Sequence, residues 1–157
     1  MTYFPDGVPY TYGKDSVPAE WFRENLLDPF GGKLVCAGWL DAKYPVRTGE
    51  PPPRFVEKLA WLCVNDLHAG MRGFHSCNLC PPGSSWVNVL RDGRKHLLGT
   101  AEIRVRTPHF TYAAPNLVLH YVVDHHYLPP DDFVEGVLAA PESNRLDDWS
   151  FFRGPYW

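Results

Sequence analysis

One stretch of this chain constrains the fold more than any other, because no hydrophobic face can order it. From Asn65 to Ser85 the residues follow neither a helical nor a strand period, and the segment holds three glycines, two prolines and the pair Cys77 and Cys80. Long segments without secondary structure are uncommon inside compact domains, so something else must supply the order. A metal does this. A C-x2-C turn sets both sulfurs on one side, where a tetrahedral Zn2+ takes them at ~2.3 Å, and His75 adds an imidazole close by. The same spacing also suits a redox pair or a turn with two buried thiols. Redox motifs, however, sit at a strand-to-helix junction, and this pair is flanked by loop.

The fourth ligand has to come from elsewhere. The best donors are His120 and His125, on a helix predicted over residues 116–127. Residues five apart on a helix differ by about 140° in direction, so both reach one metal only if the helix bends or frays there. The expected metal set is therefore His75, Cys77, Cys80 and His120, with His125 as the alternate. If both helical histidines bind, His75 is left to support a ligand or to act on a substrate. Cys36 and Cys63 lie in apolar runs and read as core residues.

The whole chain of 157 residues suits a single domain spanning residues 1–157, with nine Phe, six Trp and eight Tyr to build a core. Residues 1–15 read as an irregular arm packed by its aromatics. Ser16 is positioned to cap a short helix with Trp21, Phe22 and Leu26 inward, ended by Pro29, Gly31 and Gly32. Leu34 to Leu40 reads as a strand. Phe55, Leu59, Leu62 and Cys63 follow the apolar spacing of a helix opened by Pro53.

Trp86 to Leu90 predicts a strand, Asp92-Gly93 a hairpin turn, and Leu97 to Arg106 the return strand. In that strand Ala101, Ile103 and Val105 alternate with Glu102, Arg104 and Arg106, the pattern of a sheet wet on one face. Phe110 to Ala113 predicts a third strand, Pro115 the first turn of the histidine helix, and Asp131 the cap of a last helix burying Phe133, Val134, Val137 and Leu138. Residues 140–157 form an aromatic tail. Sixteen prolines are about twice the usual ~5%, and their clusters at Pro51 to Pro53, Pro81 and Pro82, and Pro129 and Pro130 read as element boundaries. The sum is an α+β domain: a small antiparallel sheet packed against helices, with a zinc knuckle loop over residues 65–85.

Fifteen Lys plus Arg against 18 Asp plus Glu give a net charge of −3, which argues against general nucleic-acid binding. The basic residues Arg91, Arg94, Lys95, Arg104 and Arg106 cluster, whereas the chain beyond residue 107 is acidic. No leader peptide and no apolar run long enough to span a bilayer is visible, so the expected location is the cytoplasm, away from membranes.

Three strings of residues carry a resemblance. Arg72, Gly73, His75, Cys77 and Cys80 form the first; Leu98-Gly-Thr-Ala-Glu-Ile-Arg-Val105 the second. The third runs from Tyr112 through Pro115, His120, Tyr121, His125, Tyr127, Pro129 and Pro130 to Phe133. Together they resemble a small family of uncharacterised bacterial proteins. The resemblance implies one domain of intracellular bacterial origin and carries no reaction.

Two functions compete. In the first, zinc is mainly structural: a closed site pins the loop to the helix, and the protein acts as a protein-binding or accessory module, for example in toxin neutralisation. In the second, zinc keeps an open position. It then lowers the pKa of a bound water toward ~7, with Glu102 as general base of a hydrolase or deaminase-like enzyme acting on a small molecule. Zinc deaminases also combine a His/Cys/Cys set with a Glu, but in a different order along the chain.

Overall fold

The computed structural model of the chain describes residues 2–24, 33–70, 74–84 and 86–141. Leu26, Pro29, Gly31, Gly32 and the tail from residue 142 lie outside them. After a 3-10 turn at Lys14–Ser16, the elements are α1 (Ala19–Phe22), β1 (Leu34–Cys36), α2 (Pro53–Asn65), β2 (Asn88–Arg91), β3 (Arg94–Leu97), β4 (Glu102–Arg106), β5 (Thr111–Pro115), α3 (Val118–His125) and α4 (Asp131–Ala139). The architecture is α+β. One sheet has the order β1-β5-β4, and β2 and β3 form a separate hairpin. The pairing is mixed, since β4 runs antiparallel to β5 while β1 runs parallel to it.

The apolar spacing of α2 is realised as expected: Phe55, Leu59, Leu62 and Cys63 are all buried. Proline at the first helical position is pre-set for the helix and gives up only a donor that would have no partner there. Against α2 pack Ile103 and Val105 of β4, Leu117, Val118, Tyr121 and Val122 around α3, and Phe133 and Val137 of α4. The N-terminal helix starts directly after Pro18 and makes no side-chain cap bond. Asp131 likewise makes no cap bond; α4 begins after Pro130, and Asp131 binds Arg47 at 3.0 Å instead.

Three expectations shift. The return strand of the hairpin stops at Leu97 rather than running on to Arg106. The chain turns at Gly99, which has φ of 83° and lies so close to the backbone of His75 that a Cβ would collide with its carbonyl. Asn116, fully buried, holds this corner by accepting the N–H groups of Gly99 at 2.8 Å and Thr100 at 3.2 Å. Pro115 closes β5 opposite Glu102, and α3 begins only at Val118.

The third shift concerns the sheet face carrying Glu102 and Arg104. Alternation predicts a wet face, yet the two residues are 0% and 6% exposed. The N-terminal arm is the reason. It follows β1 through Gly7 N–H to Cys36 O at 2.8 Å, Cys36 N–H to Val8 O at 2.8 Å and Tyr10 N–H to Leu34 O at 3.0 Å. Tyr10, Phe22, Leu34, Cys36, Trp39 and Ala113 then form a second apolar cluster on that side. The basic residues between 91 and 106 are thereby split: Arg104 is interior, while Arg94, Lys95 and Arg106 are exposed.

Candidate metal centre

Cys77 and Cys80 sit on a knuckle tied to the body between the cysteines and closed by a local turn beyond them. Asn78 accepts the backbone N–H of Ala42 at 3.2 Å, and beyond the cysteines Ser84 bonds back to the Pro81 carbonyl through its hydroxyl at 2.6 Å and its N–H at 3.1 Å. Leu79 and Cys80 pack on the main core, and Cys77 is buried. The knuckle thus leans on the helix that carries the histidines.

That helix stops where the chemistry requires it to. His125 is its last residue, and His126 takes the left-handed conformation (φ 55°, ψ 26°) that ends a helix. Beyond it Tyr127 returns its N–H to Tyr121 O at 3.0 Å, and its hydroxyl bonds Asp6 at 2.8 Å. With no further turn to obey, the His125 ring closes on His120. Their Nε2 atoms are 3.2 Å apart, despite the angular offset of five residues along a regular helix.

The ligand atoms of Cys77, Cys80, His120 and His125 all lie within 4.8 Å of one another. Cys77 Sγ is 3.3 Å from His125 Nε2, and Cys80 Sγ is 3.3 Å from His120 Nε2 and 3.4 Å from His125 Nε2. A tetrahedron with Zn–N ~2.0–2.1 Å and Zn–S ~2.3 Å has edges of about 3.3 Å between nitrogens and about 3.6 Å between nitrogen and sulfur. The four approaches, 3.2 to 3.4 Å, lie close to these edges. His120 Nδ1 is 2.7 Å from Asp124 Oδ2, one turn on. A carboxylate there holds the Nδ1–H tautomer and leaves Nε2 as the donor, as in carboxylate–histidine–metal sites.

Burial pushes the Cys77 thiol up to about 11. The His125 imidazole moves the other way, lowered first by burial and then by His120. A lowered pKa keeps His125 in its neutral, ligating form. The raised thiol holds its proton until a cation displaces it.

His75 stands outside this group. Its Nε2 is 3.2 Å from the Tyr12 hydroxyl, its N–H bonds Gly99 O at 2.9 Å, and burial lowers its pKa. Glu102 is engaged elsewhere too. Tyr10 donates to its Oε1 at 2.7 Å and Arg104 Nη1 to its Oε2 at 2.6 Å, and the Arg104 guanidinium also lies 5.4 Å from the centre of the Tyr10 ring. Burial, the largest single influence, would lower Arg104, but the Glu102 carboxylate and the Tyr10 side chain together outweigh it and the net shift is upward. Sequence reasoning missed Asp124, although its position four residues after His120 was a readable signal. It also missed Tyr10, for which no local signal exists.

Among the described residues no helix is long and apolar enough to cross a membrane. A family model described as "Domain of unknown function (DUF7919)" matches residues 2–138. No curated protein and no solved structure matches the chain.

Proposed function

The chain belongs to the DUF7919 family, which comes with no assigned reaction, and from its own residues we propose a zinc-stapled binding module. In this reading Cys77, Cys80, His120 and His125 hold one zinc ion in a closed, mainly structural site. The observation that carries it is the mutual approach of two thiols and two imidazoles from elements 40 or more residues apart. Two thiolates with two imidazoles suit zinc better than an iron–sulfur cluster, which is held mostly by thiolates.

Four protein donors complete a tetrahedron, and closed sites of this kind are structural. Zinc there ties the knuckle to α3, so its binding free energy becomes folding free energy. His75 serves as a Tyr12 partner rather than a ligand. Glu102 serves the interior with Arg104 rather than acting as a general base. Such a thiolate site persists in a reducing compartment, consistent with a bacterial cytoplasmic protein whose output is binding a protein partner.

The test is metal content and chelation. Freshly purified protein should carry one zinc per chain by elemental analysis, and removing it should collapse the cooperative thermal transition. Less than one bound metal, or an unchanged melting curve after complete removal, sinks the reading. Zinc affinity should also fall with pH. Below about pH 11 the Cys77 proton has to leave before the sulfur can bind, so each unit of acidification costs about tenfold per displaced proton.

A further inference from the structure

The β2–β3 hairpin stands apart from the three-stranded sheet, and among the described residues no third strand pairs with it. Its turn, with Asp92 at φ 51° and Gly93 at φ 72°, is the two-residue form that matches strand twist. Which backbone groups face outward follows from the register. Leu98 N–H bonds Val87 O at 2.9 Å, and the partners run Val89 with His96 and Arg91 with Arg94. In an antiparallel pair the hydrogen-bonded positions alternate, so Val87, Val89 and Arg91 use their backbone groups on β3. Asn88 and Leu90 therefore turn theirs away from it, along an open strand edge.

The surroundings of that edge are apolar and basic. Leu90 is 68% exposed, Trp86 56% and Phe74 51%, three of the five large hydrophobic side chains so exposed among the described residues. Phe74 and Trp86 pack on each other edge to face, with ring centres 4.7 Å apart. They bracket the cysteine knuckle in sequence, so the proposed zinc site holds the base of this surface. Beside Leu90, on the same face, stands its cross-strand partner Lys95. Residues 88–97 carry Arg91, Arg94 and Lys95 against the single Asp92, in a chain whose net charge is −3.

We infer that the β2 edge is a docking site for an extended acidic segment of a partner protein. The segment adds as a strand at Asn88 and Leu90, with a bulky apolar side chain on Leu90 and, about four residues along, another facing the Trp86 and Phe74 pair. An open edge offers donors and acceptors at the spacing of another peptide backbone, which a phosphate backbone does not share. The cations supply charge complementarity and steer the encounter. This inference deepens the binding-module reading and rests on it.

The experiment selects ten-residue random peptides on the zinc-loaded full chain. Enriched sequences should carry Asp or Glu around a bulky apolar residue. Their addition should slow hydrogen exchange at the Asn88 and Leu90 amides. Leu90→Pro, which removes an outward N–H without breaking the hairpin ladder, should weaken binding at least tenfold. Leu90→Glu, which keeps every backbone bond, should do the same with zinc content and melting temperature unchanged.

Selection of nothing by a folded, zinc-loaded chain overturns the inference and leaves the metal reading standing. So does equal peptide binding by both variants, or slow exchange at Leu90 before any peptide is added. Tighter binding of a twelve-residue oligothymidylate reassigns the surface to nucleic acid, and a dimer abolished by Leu90→Glu reassigns it to a second copy. Collapse on chelation is read separately and tests the metal reading alone.

Discussion

Two polar clusters contrast within this small domain: one, buried, pairs its own charges, and the other, partly buried, gathers thiols and imidazoles that in the proposed function hold a cation. Glu102, Arg104 and Tyr10 carry their own compensation: a carboxylate, a guanidinium and a hydroxyl meet at 2.6 and 2.7 Å, with the two charged side chains 1% and 3% exposed. Cys77, Cys80, His120 and His125 bring four donors and no opposing charge of their own except Asp124, whose side chain is 58% exposed. The first cluster pairs its charges within the chain, whereas in the proposed function the second is completed by a cation. A buried ion pair loses strength when one partner goes, and a metal site loses its purpose when the ion does.

The largest effect should fall on the metal side. Cys77→Ser is expected to abolish stoichiometric zinc and with it the cooperative melt, because structural zinc sites contribute on the order of 10 kcal/mol in small domains. Elemental analysis and calorimetry read both outcomes, and a variant that melts like the parent breaks the contrast. Next comes Arg104→Ala, which strands the Glu102 carboxylate inside and should cost about 3–5 kcal/mol without changing zinc content. Denaturant unfolding measures it. A loss below about 1 kcal/mol would mean that water reaches Glu102.

Smaller again is Asp124→Asn. It frees the His120 tautomer and should weaken zinc about 10- to 100-fold, as competition with a chromogenic chelator would show, with a correspondingly modest drop in the melting temperature of the zinc-loaded protein. The smallest is Tyr10→Phe, at about 1–2 kcal/mol, since Glu102 keeps Arg104 and loses one hydrogen bond. If Tyr10→Phe costs as much as Arg104→Ala, the hydroxyl and not the guanidinium is the main partner of the carboxylate.

Much of the molecule was legible before any coordinates. The apolar spacing of Phe55, Leu59, Leu62 and Cys63 placed α2, the Asp92-Gly93 turn placed the hairpin, and the α+β class followed from their order. Cys77, Cys80 and His120 were readable as metal donors because thiol spacing is local and chemically specific. His125 was readable only as an alternate, since a regular helix points it away from His120.

Three things needed the fold. That the helix ends at His125 depends on His126 entering the left-handed region and on Tyr127 reaching Asp6 and Gly38. That His75 pairs with Tyr12 depends on where the N-terminal arm lies. That Glu102 and Arg104 are interior depends on the same arm covering the second face of the sheet.

By itself, then, the sequence determined local periods, turns and the kinds of atoms available to a metal, because these depend on neighbours within a few residues. The tertiary structure decided which imidazole completes the set and which face of β4 is dry. Those choices belong to contacts between residues 5 to 121 apart, where chain direction after each turn, and not residue type, sets what meets what.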